Sequence, residues 1–277
     1  MKTDSSKLKK NRISILGCGW LGLPLAKTLI QNNYNVKGST TSTSKLKDLK
    51  SVGITPFLIE LSENRISNAI EDFLDASDTL IINIPPGLRK HPEKNHVQEL
   101  KNLIPFVGKS TIKNVLYISS TSVFEDTIPF SIINNASIPN SKSNSSRQLI
   151  EIEQLLESNP NFNTTILRFS GLFDQVRHPG KSLSGRKNIP NPDAPINLIH
   201  KEDCIGIILK ILEKNMWNNV FNASLPEHPT KKRYYTQYCK KNQLELPQFD
   251  NTSPSKGKLI DSSTLAQLLK YDYQTSL

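Results

Sequence analysis

A glycine-rich segment near the start of the chain constrains the fold more than any other feature. It reads Gly-Cys-Gly-Trp-Leu-Gly over residues 17–22, after a short apolar run at 13–16 and before a stretch with helical apolar spacing. Glycines at these three positions allow a tight turn, a close approach to the backbone, and close packing of a helix on a strand. The segment therefore predicts the first strand, turn and helix of a parallel sheet.

Short runs rich in β-branched residues alternate with helical patterns along most of the chain. Neighbouring parallel strands need a connection about as long as a helix, so this alternation predicts parallel pairing. We therefore expect an α/β protein with a Rossmann-type doubly wound parallel sheet and a smaller C-terminal lobe on the substrate side. The expected strands cover 13–16, 35–37, 55–59, 79–83, 115–119, 164–169 and 220–222, and the expected helices cover 20–31, 44–50, 65–74, 93–107, 145–157, 202–213, 230–241 and 261–270.

These elements suggest three regions along the chain. Residues 1–10 read as a flexible tail, residues 11–169 as the Rossmann domain, and residues 170–277 as a loop and the smaller lobe. Within the lobe, about 196–222 is expected to return to the Rossmann core. Prolines and glycines recur between 174 and 195 in a polar setting, which favours a long functional loop there.

Composition excludes several classes of protein. A chain of 277 residues with 36% hydrophobic residues can bury a core that needs no disulfide or structural metal. The three cysteines are far apart and lack metal-ligand spacing, so we expect free thiols, no metal site and a cytoplasmic location. No apolar run approaches the roughly 18–20 residues of a membrane span, so no membrane partner is expected.

The net charge of +10 raises the question of an anionic partner. Its densest cluster is Lys231-Lys232-Arg233, which we interpret first as a solvated helix face. A basic cleft for a phosphorylated ligand is the alternative. A nucleic-acid surface ranks last, because no nucleic-acid-binding motif accompanies the charge, and no nucleic-acid partner is expected. The sequence does not predict an oligomeric state.

The glycine segment is also typical of sites that bind the diphosphate of a dinucleotide, because backbone amides and the helix dipole favour phosphate there. We therefore predict an NAD(P)-binding loop formed by Gly17, Cys18, Gly19, Trp20, Leu21 and Gly22.

The end of the second strand bears on the choice of dinucleotide. NAD sites usually carry an acid about 20 residues beyond the glycines, where it holds the ribose 2′-hydroxyl. Here that position offers Ser39, Thr40, Thr41 and then Lys45, with no carboxylate before Asp48. This favours NADP over NAD, although a helix cap without ligand contact stays open. Pro85 and Pro86, after the fourth strand, either shape a loop beside the cofactor or simply end the strand.

Several later segments form recognisable motifs, in the same order and spacing as in one group of known proteins. They are Ser-Ser-Thr-Ser-Val-Phe at 119–124, Leu-Arg-Phe-Ser-Gly-Leu-Phe at 167–173, Arg-His-Pro-Gly at 177–180, Ile-Asn-Leu-Ile-His-Lys-Glu-Asp at 196–203 and Glu-His-Pro-Thr at 227–230. These segments resemble the short-chain dehydrogenase/reductase superfamily, in its extended or atypical branch, and are most similar to the YeeZ-type group of NAD(P)-binding, epimerase- or reductase-like proteins. The resemblance implies an NADP-dependent oxidoreductase or epimerase that acts on a small anionic or nucleotide-linked molecule.

The resemblance also exposes a chemical departure. Members of the superfamily use a Tyr-x-x-x-Lys pair for proton transfer, and the matching residues here are Ser143 and Arg147. The hydroxyl that polarises the substrate in the superfamily falls on Ser120. A serine is a poor proton donor or acceptor near neutral pH. A non-catalytic dinucleotide-binding sensor or scaffold is therefore an alternative to an enzyme.

Candidate substrate-binding residues come from the two later motifs and are Arg177, His178, Asn197 and His200. The ordinary pKa of a histidine side chain suits proton transfer, but His178 is also consistent with a structural or phosphate-binding role. We expect His200 to anchor its loop, and Arg168 to make a buried hydrogen-bonded contact instead of touching substrate.

Overall fold

The computed structural model describes residues 12–277, so the tail expected over 1–10 lies outside the described residues. The strands are β1 Arg12–Leu16, β2 Asn35–Thr40, β3 Thr55–Leu58, β4 Thr79–Ile82, β5 Asn114–Ser120, β6 Ser131–Ile133, β7 Asn163–Phe169, β8 Gly171–Phe173, β9 Leu198–His200, β10 Val220–Ala223 and β11 Lys258–Ile260. The helices are α1 Gly22–Gln31, α2 Leu46–Ser51, α3 Ile70–Leu74, α4 His96–Lys109, α5 Asn144–Glu157, α6 Pro179–Leu183, α7 Lys201–Glu213, α8 Lys231–Lys241 and α9 Ser263–Leu269.

Seven strands form the central sheet, in the order β10-β7-β5-β4-β1-β2-β3. Pairing is parallel, with Ile13 opposite Val36 on one side of β1 and opposite Thr79 on the other. The strand order reverses direction at β1, which is the doubly wound arrangement. The predicted fold class is confirmed.

Two departures from the expected elements have local causes. The helix expected over 65–74 begins only at Ile70, because the side chain of Ser67 bonds back to the amide of Glu60 at 2.7 Å and holds the preceding residues in a turn. The helix α6 and the strands β6, β8, β9 and β11 were not expected. The strands have three residues each, which is too short for a period of two to be visible in the sequence, and the five-residue α6 lies within the segment 174–195 that was expected to be a loop.

The chain divides into two compact units. The described part of the first comprises residues 12–118 with Gln154–Thr165, and the second comprises Ser119–Glu153 with Ile166–Leu277. In the first unit, α1 buries Leu25, Ala26 and Leu29 completely. Burial of this apolar face stabilises the helix by about 25 cal/mol for each Å² removed from water.

The second unit has its own core and a tightly held C-terminal segment. Phe173, Leu225 and Tyr235 belong to one buried apolar cluster. The fully buried carboxylate of Asp203 accepts hydrogen bonds from the hydroxyl of Tyr271 at 2.9 Å, from a backbone amide at 2.8 Å and from the hydroxyl of Thr275. These donors satisfy a buried charge that would otherwise be costly.

No helix among residues 12–277 is both long and apolar enough to cross a membrane. Within the same residues, no group of three or more His, Cys, Asp or Glu side chains is arranged to hold a metal ion.

Candidate functional site

The glycine loop after β1 adopts a conformation that requires its first and last glycines. Gly17 has a φ of +103°, and a Cβ atom there would lie 2.6 Å from the carbonyl oxygen of Asn83. A Cβ atom on Gly22 would lie 2.1 Å from the carbonyl oxygen of Gly17. The side-chain amide of Asn83 donates to that same oxygen at 3.0 Å. These contacts let α1 start directly against the end of β1.

The middle glycine has a different environment. Gly19 is exposed, and a Cβ atom there would meet nothing within 4 Å. Among the described residues, no side chain caps the start of α1, where Leu21 is the N-cap. An exposed turn that leads into an uncapped helix N-terminus fits the diphosphate of a dinucleotide, because amides and the helix dipole attract negative charge.

The side chains between these glycines serve packing. Leu21 is buried, and Trp20 is half-buried. Burial raises the pKa of the Cys18 thiol to about 12, so the thiol stays protonated and unreactive at neutral pH. Residues 18–22 can therefore contact a ligand chiefly through their backbone.

The end of β2 is bonded to the glycine loop. The hydroxyl of Ser39 accepts from the amide of Gly17 at 2.9 Å, and its carbonyl oxygen accepts from the amide of Cys18 at 2.8 Å. The Thr40 hydroxyl accepts from a backbone amide two residues later, at 3.1 Å. Ser39 and Thr40 thus shape the site, whereas Thr41 and Lys45 are exposed beside it.

A cleft of about 300 Å³ in the first unit brings most of the predicted cofactor residues together. Predicted residues that line it are Gly17, Cys18, Gly19, Ser39, Thr40, Thr41, Lys45 and Pro85. Trp20, Leu21, Gly22 and Pro86 do not line it, although Gly22 fixes the loop that does. The cleft contains apolar surface from Ile59, Leu61 and Ile84.

Two charged residues in this cleft were missed by the sequence analysis. Lys94 and Glu99 both line it, and their Nζ and Oε2 atoms lie 2.9 Å apart. The fully buried ring of His96 places its Nδ1 atom 2.8 Å from the same oxygen. The only signal in the sequence is their spacing at the start of one helix, which does not show that α4 reaches the cleft.

The three residues proposed for catalysis lie in the second unit. The hydroxyl of Ser120, at the end of β5, accepts from the amide of Ser122 at 3.1 Å. Ser143 precedes α5, where its hydroxyl accepts from the amide of Ser146 at 3.2 Å and so caps the helix. Ser143 lines a cavity of about 510 Å³, which neither Ser120 nor the exposed Arg147 lines. A proton-transferring Ser143/Arg147 pair gains no support from this geometry.

Both ring nitrogens of His178 have partners within the protein. Its Nδ1 atom accepts from the amide of Gly180 at 3.1 Å, and its Nε2 atom lies 3.0 Å from the hydroxyl of Tyr234. The ring also stacks on Tyr238 with centroids 3.7 Å apart. Burial, with a smaller contribution from the charge of Lys181, lowers the pKa of His178 to about 4. This geometry favours a structural role over proton transfer.

The other predicted substrate residues differ in their surroundings. His200 caps α7 by accepting from the amide of Glu202 at 3.3 Å, as expected for an anchor. Arg177 is exposed. Asn197 bonds to backbone atoms of Lys258 and Ile260, both at 2.8 Å, and also lines a cavity of about 220 Å³.

Lysine side chains line both the cavity of about 220 Å³ and the cavity of about 510 Å³. Lys256 and Lys258 line both cavities, and Lys231 lines the smaller one. Asp126, which also lines both, pairs with Lys258 at 2.8 Å. The smaller cavity thus has three lysines and one carboxylate, and the larger has Lys142 in addition to Lys256 and Lys258, with Glu125 beside Asp126. This excess of positive charge would attract an anionic ligand. Lys231 thus lines a cavity, while the adjacent Lys232 and Arg233 are exposed on α8.

A buried ion pair supports the segment around Ser120. Arg168 on β7 donates to both carboxylate oxygens of Glu153 on α5, with its shortest bond at 2.7 Å. The hydroxyl of Ser119 donates to the same carboxylate at 2.5 Å. The guanidinium also lies over the ring of Phe124 at 5.2 Å. The expectation of a buried, hydrogen-bonded Arg168 is confirmed.

Comparisons with known proteins cover nearly the whole chain, although no family model matches it. Protein YeeZ of Escherichia coli (strain K12) is 32% identical over 266 residues, which are 95% of this chain and 96% of YeeZ. UDP-glucuronic acid 4-epimerase from Bacillus cereus, in complex with NAD, has a TM-score of 0.77 at 17% identity, over 96% of this chain and 92% of that chain. A short-chain dehydrogenase/reductase superfamily protein from Agrobacterium tumefaciens, with bound NAD, has a TM-score of 0.74 at 14% identity, over 96% and 93%.

Proposed function

Because the chain belongs to the YeeZ family and has the fold of the short-chain dehydrogenase/reductase superfamily, we propose that it binds a nicotinamide dinucleotide in the cleft beside residues 17–22. The observation that carries this proposal is the exposed turn at Gly19, which leads into an uncapped helix N-terminus at Leu21. A diphosphate there would meet backbone amides without displacing any side chain. The solved relatives with bound NAD support the same ligand class.

We propose NADP as the preferred dinucleotide. The end of β2 presents the exposed hydroxyl of Thr41 and the ammonium of Lys45, and it lacks the carboxylate that would repel a 2′-phosphate. A phosphate gains charge-assisted hydrogen bonds from such donors, whereas a ribose hydroxyl gains little from an ammonium group.

We further propose an oxidoreductase or epimerase reaction on a small anionic or nucleotide-linked molecule. The lysine-lined cavities of the second unit support an anionic substrate. The Bacillus cereus relative is named for a UDP-linked sugar acid, which is one such molecule. Ser120 remains our candidate for polarising a substrate oxygen, and Asn197 for contacting the ligand in the smaller cavity.

A non-catalytic sensor or scaffold is the second candidate function. The cap formed by Ser143 and the exposure of Arg147 favour it, because neither supplies the tuned acid and base that proton transfer needs.

Parallel titrations with NADPH and NADH test the cofactor proposal. We expect tighter binding of NADPH. In Lys45→Ala, NADPH affinity should fall roughly 3- to 10-fold with little change for NADH, as expected for loss of one exposed phosphate contact. Lys47→Ala, on the exposed face of α2, is the matched control. Tighter binding of NADH, or equal losses for both dinucleotides, would contradict the NADP assignment.

Turnover separates the two candidate functions. NADPH oxidation, NADP+ reduction and epimer formation would be followed with UDP-glucose and UDP-glucuronic acid at saturating cofactor. Turnover supports the enzyme. Binding of dinucleotide and of UDP-sugar without any turnover supports the sensor or scaffold.

A further inference from the structure

Glu99 supplies the dinucleotide cleft with a carboxylate that the end of β2 lacks. Its side chain is only 3% exposed, and its Oε2 atom contacts both Lys94 and His96. Burial raises its pKa, but the hydrogen bonds from His96 and Lys94 outweigh burial, so the pKa of Glu99 falls below its ordinary value. The group is therefore an ionised acceptor at neutral pH.

Contacts of α4 show at which end of the cleft this carboxylate lies. The side-chain amide of Asn102 donates to the carbonyl oxygens of Ser62 at 3.0 Å and Glu63 at 2.9 Å. The amide of Asn95 donates to the carboxylate of Glu63 at 2.8 Å. Asn95, Glu99 and Asn102 share one helix face, because they are spaced by four and three residues. Glu99 therefore lies on the face that packs against the segment following β3.

A nucleotide base would occupy this end. If the diphosphate lies at the first turn and the ribose at the end of β2, the next strand outward in the sheet is β3, and a base beyond the ribose would reach the residues that follow β3. Ile59 and Leu61 line the cleft just before residues 62–63, which α4 contacts, so they supply apolar surface at the end of the cleft where Glu99 lies. Apolar surface beside an anionic acceptor suits a purine that carries an amino group.

We propose that Glu99 accepts a hydrogen bond from the 6-amino group of adenine and thereby selects adenine dinucleotides over their 6-oxopurine counterparts. An ionised carboxylate has no proton to donate, so a 6-oxo group at that position would face a second acceptor. Lys94 and His96 act as positioning residues, since they fix the carboxylate that meets the base. This inference rests on the proposed function and names the base-selecting residue of the same site.

The test compares NADPH with its hypoxanthine analogue, in which oxygen replaces the 6-amino group, by calorimetric titration of the full chain. The wild-type protein should bind the analogue roughly 10- to 100-fold more weakly, as expected for loss of a hydrogen bond to a charged group. In Glu99→Gln, the amide can donate to the 6-oxo group, so the affinity ratio should approach one. Glu71→Gln, exposed on α3, should retain the wild-type ratio.

Equal affinity of the wild-type protein for the two dinucleotides would overturn the inference while leaving the proposed function intact. An unchanged ratio in Glu99→Gln would also overturn it, because the discrimination would then come from another group. If the wild-type protein bound neither dinucleotide, the proposed function itself would fail. The wild-type comparison needs no substitution, so the inference can be tested even if Glu99→Gln does not fold.

Discussion

Two glycines of the same loop should respond to alanine in opposite ways. At Gly22, the new Cβ atom would lie 2.1 Å from the carbonyl oxygen of Gly17 and 2.9 Å from the side-chain nitrogen of Asn83. The nearer contact is backbone and cannot rotate away, so α1 must shift from the end of β1. At Gly19, the new methyl group would meet no protein atom within 4 Å.

The magnitudes separate the two variants clearly. Overpacking costs about 1–3 kcal/mol, and a clash with backbone belongs at the upper end of that range. This cost exceeds the gain of about 1 kcal/mol in helix propensity when alanine replaces glycine. Gly22→Ala should therefore lose about 2 kcal/mol of unfolding free energy, or roughly 4–8 °C in Tm. Gly19→Ala should keep its stability, or gain up to about 1 kcal/mol because its unfolded chain is less flexible.

The effect of these substitutions on NADPH affinity should not follow their effect on stability. The methyl group of Gly19→Ala occupies space that the diphosphate would use, so we expect at least about a tenfold loss of NADPH affinity in a protein of normal stability. Urea unfolding and NADPH titration of both variants provide the assay. If Gly19→Ala were destabilised as much as Gly22→Ala, or bound NADPH normally, the reasoning about this loop would be refuted.

Two further predictions concern polar groups of the second unit, the buried Glu153 and the half-buried His178. Glu153→Gln should lower the unfolding free energy by about 3 kcal/mol, because Arg168 would remain buried without its counter-charge. The control Glu213→Gln, in an exposed ion pair, should lower it by less than about 1 kcal/mol in the same urea assay. Equal losses in the two variants would contradict this prediction. The pKa of His178 is about 4, below its ordinary 6.5, so its contribution to stability is present above pH 6.5 and is lost as the pH falls toward 4. His178→Asn, which keeps an acceptor for the amide of Gly180, should show a shallower loss of stability over that range, and parallel pH curves for the two proteins would disprove it.

The sequence predicted those parts of the fold that depend on local spacing. The glycines at 17, 19 and 22 could be interpreted because each has a distinct backbone requirement within a few residues. The start of α3 could not be predicted, since a side-chain bond from Ser67 to Glu60 replaces helical bonds there. The segments that form α1 and α3 both have helical apolar spacing in the sequence. The later start of α3 depends on the tertiary contact between Ser67 and Glu60, which that spacing does not reveal.

The candidate site was predicted where one segment carries it and missed where several segments meet. Thr41 and Lys45 follow β2 directly, so their place beside the loop follows from sheet geometry. Glu99 reaches the same cleft from α4 through contacts with residues 62–63, which no short-range pattern encodes. Lys256 and Lys258 likewise join Lys231 across a separation of more than 20 residues.

The bonds that tie Ser39 and Asn83 to Gly17 have a consequence for how such a site can diversify. They hold the glycine loop, residues 17–22, in one conformation before a ligand binds, so binding of a dinucleotide would incur little entropic penalty for ordering the loop. Among the described residues, the exposed side chains of Thr41 and Lys45 make no hydrogen bond to Gly17, Ser39 or Asn83. Mutation at these two positions can therefore retune ribose preference during evolution while the scaffold beneath stays unchanged.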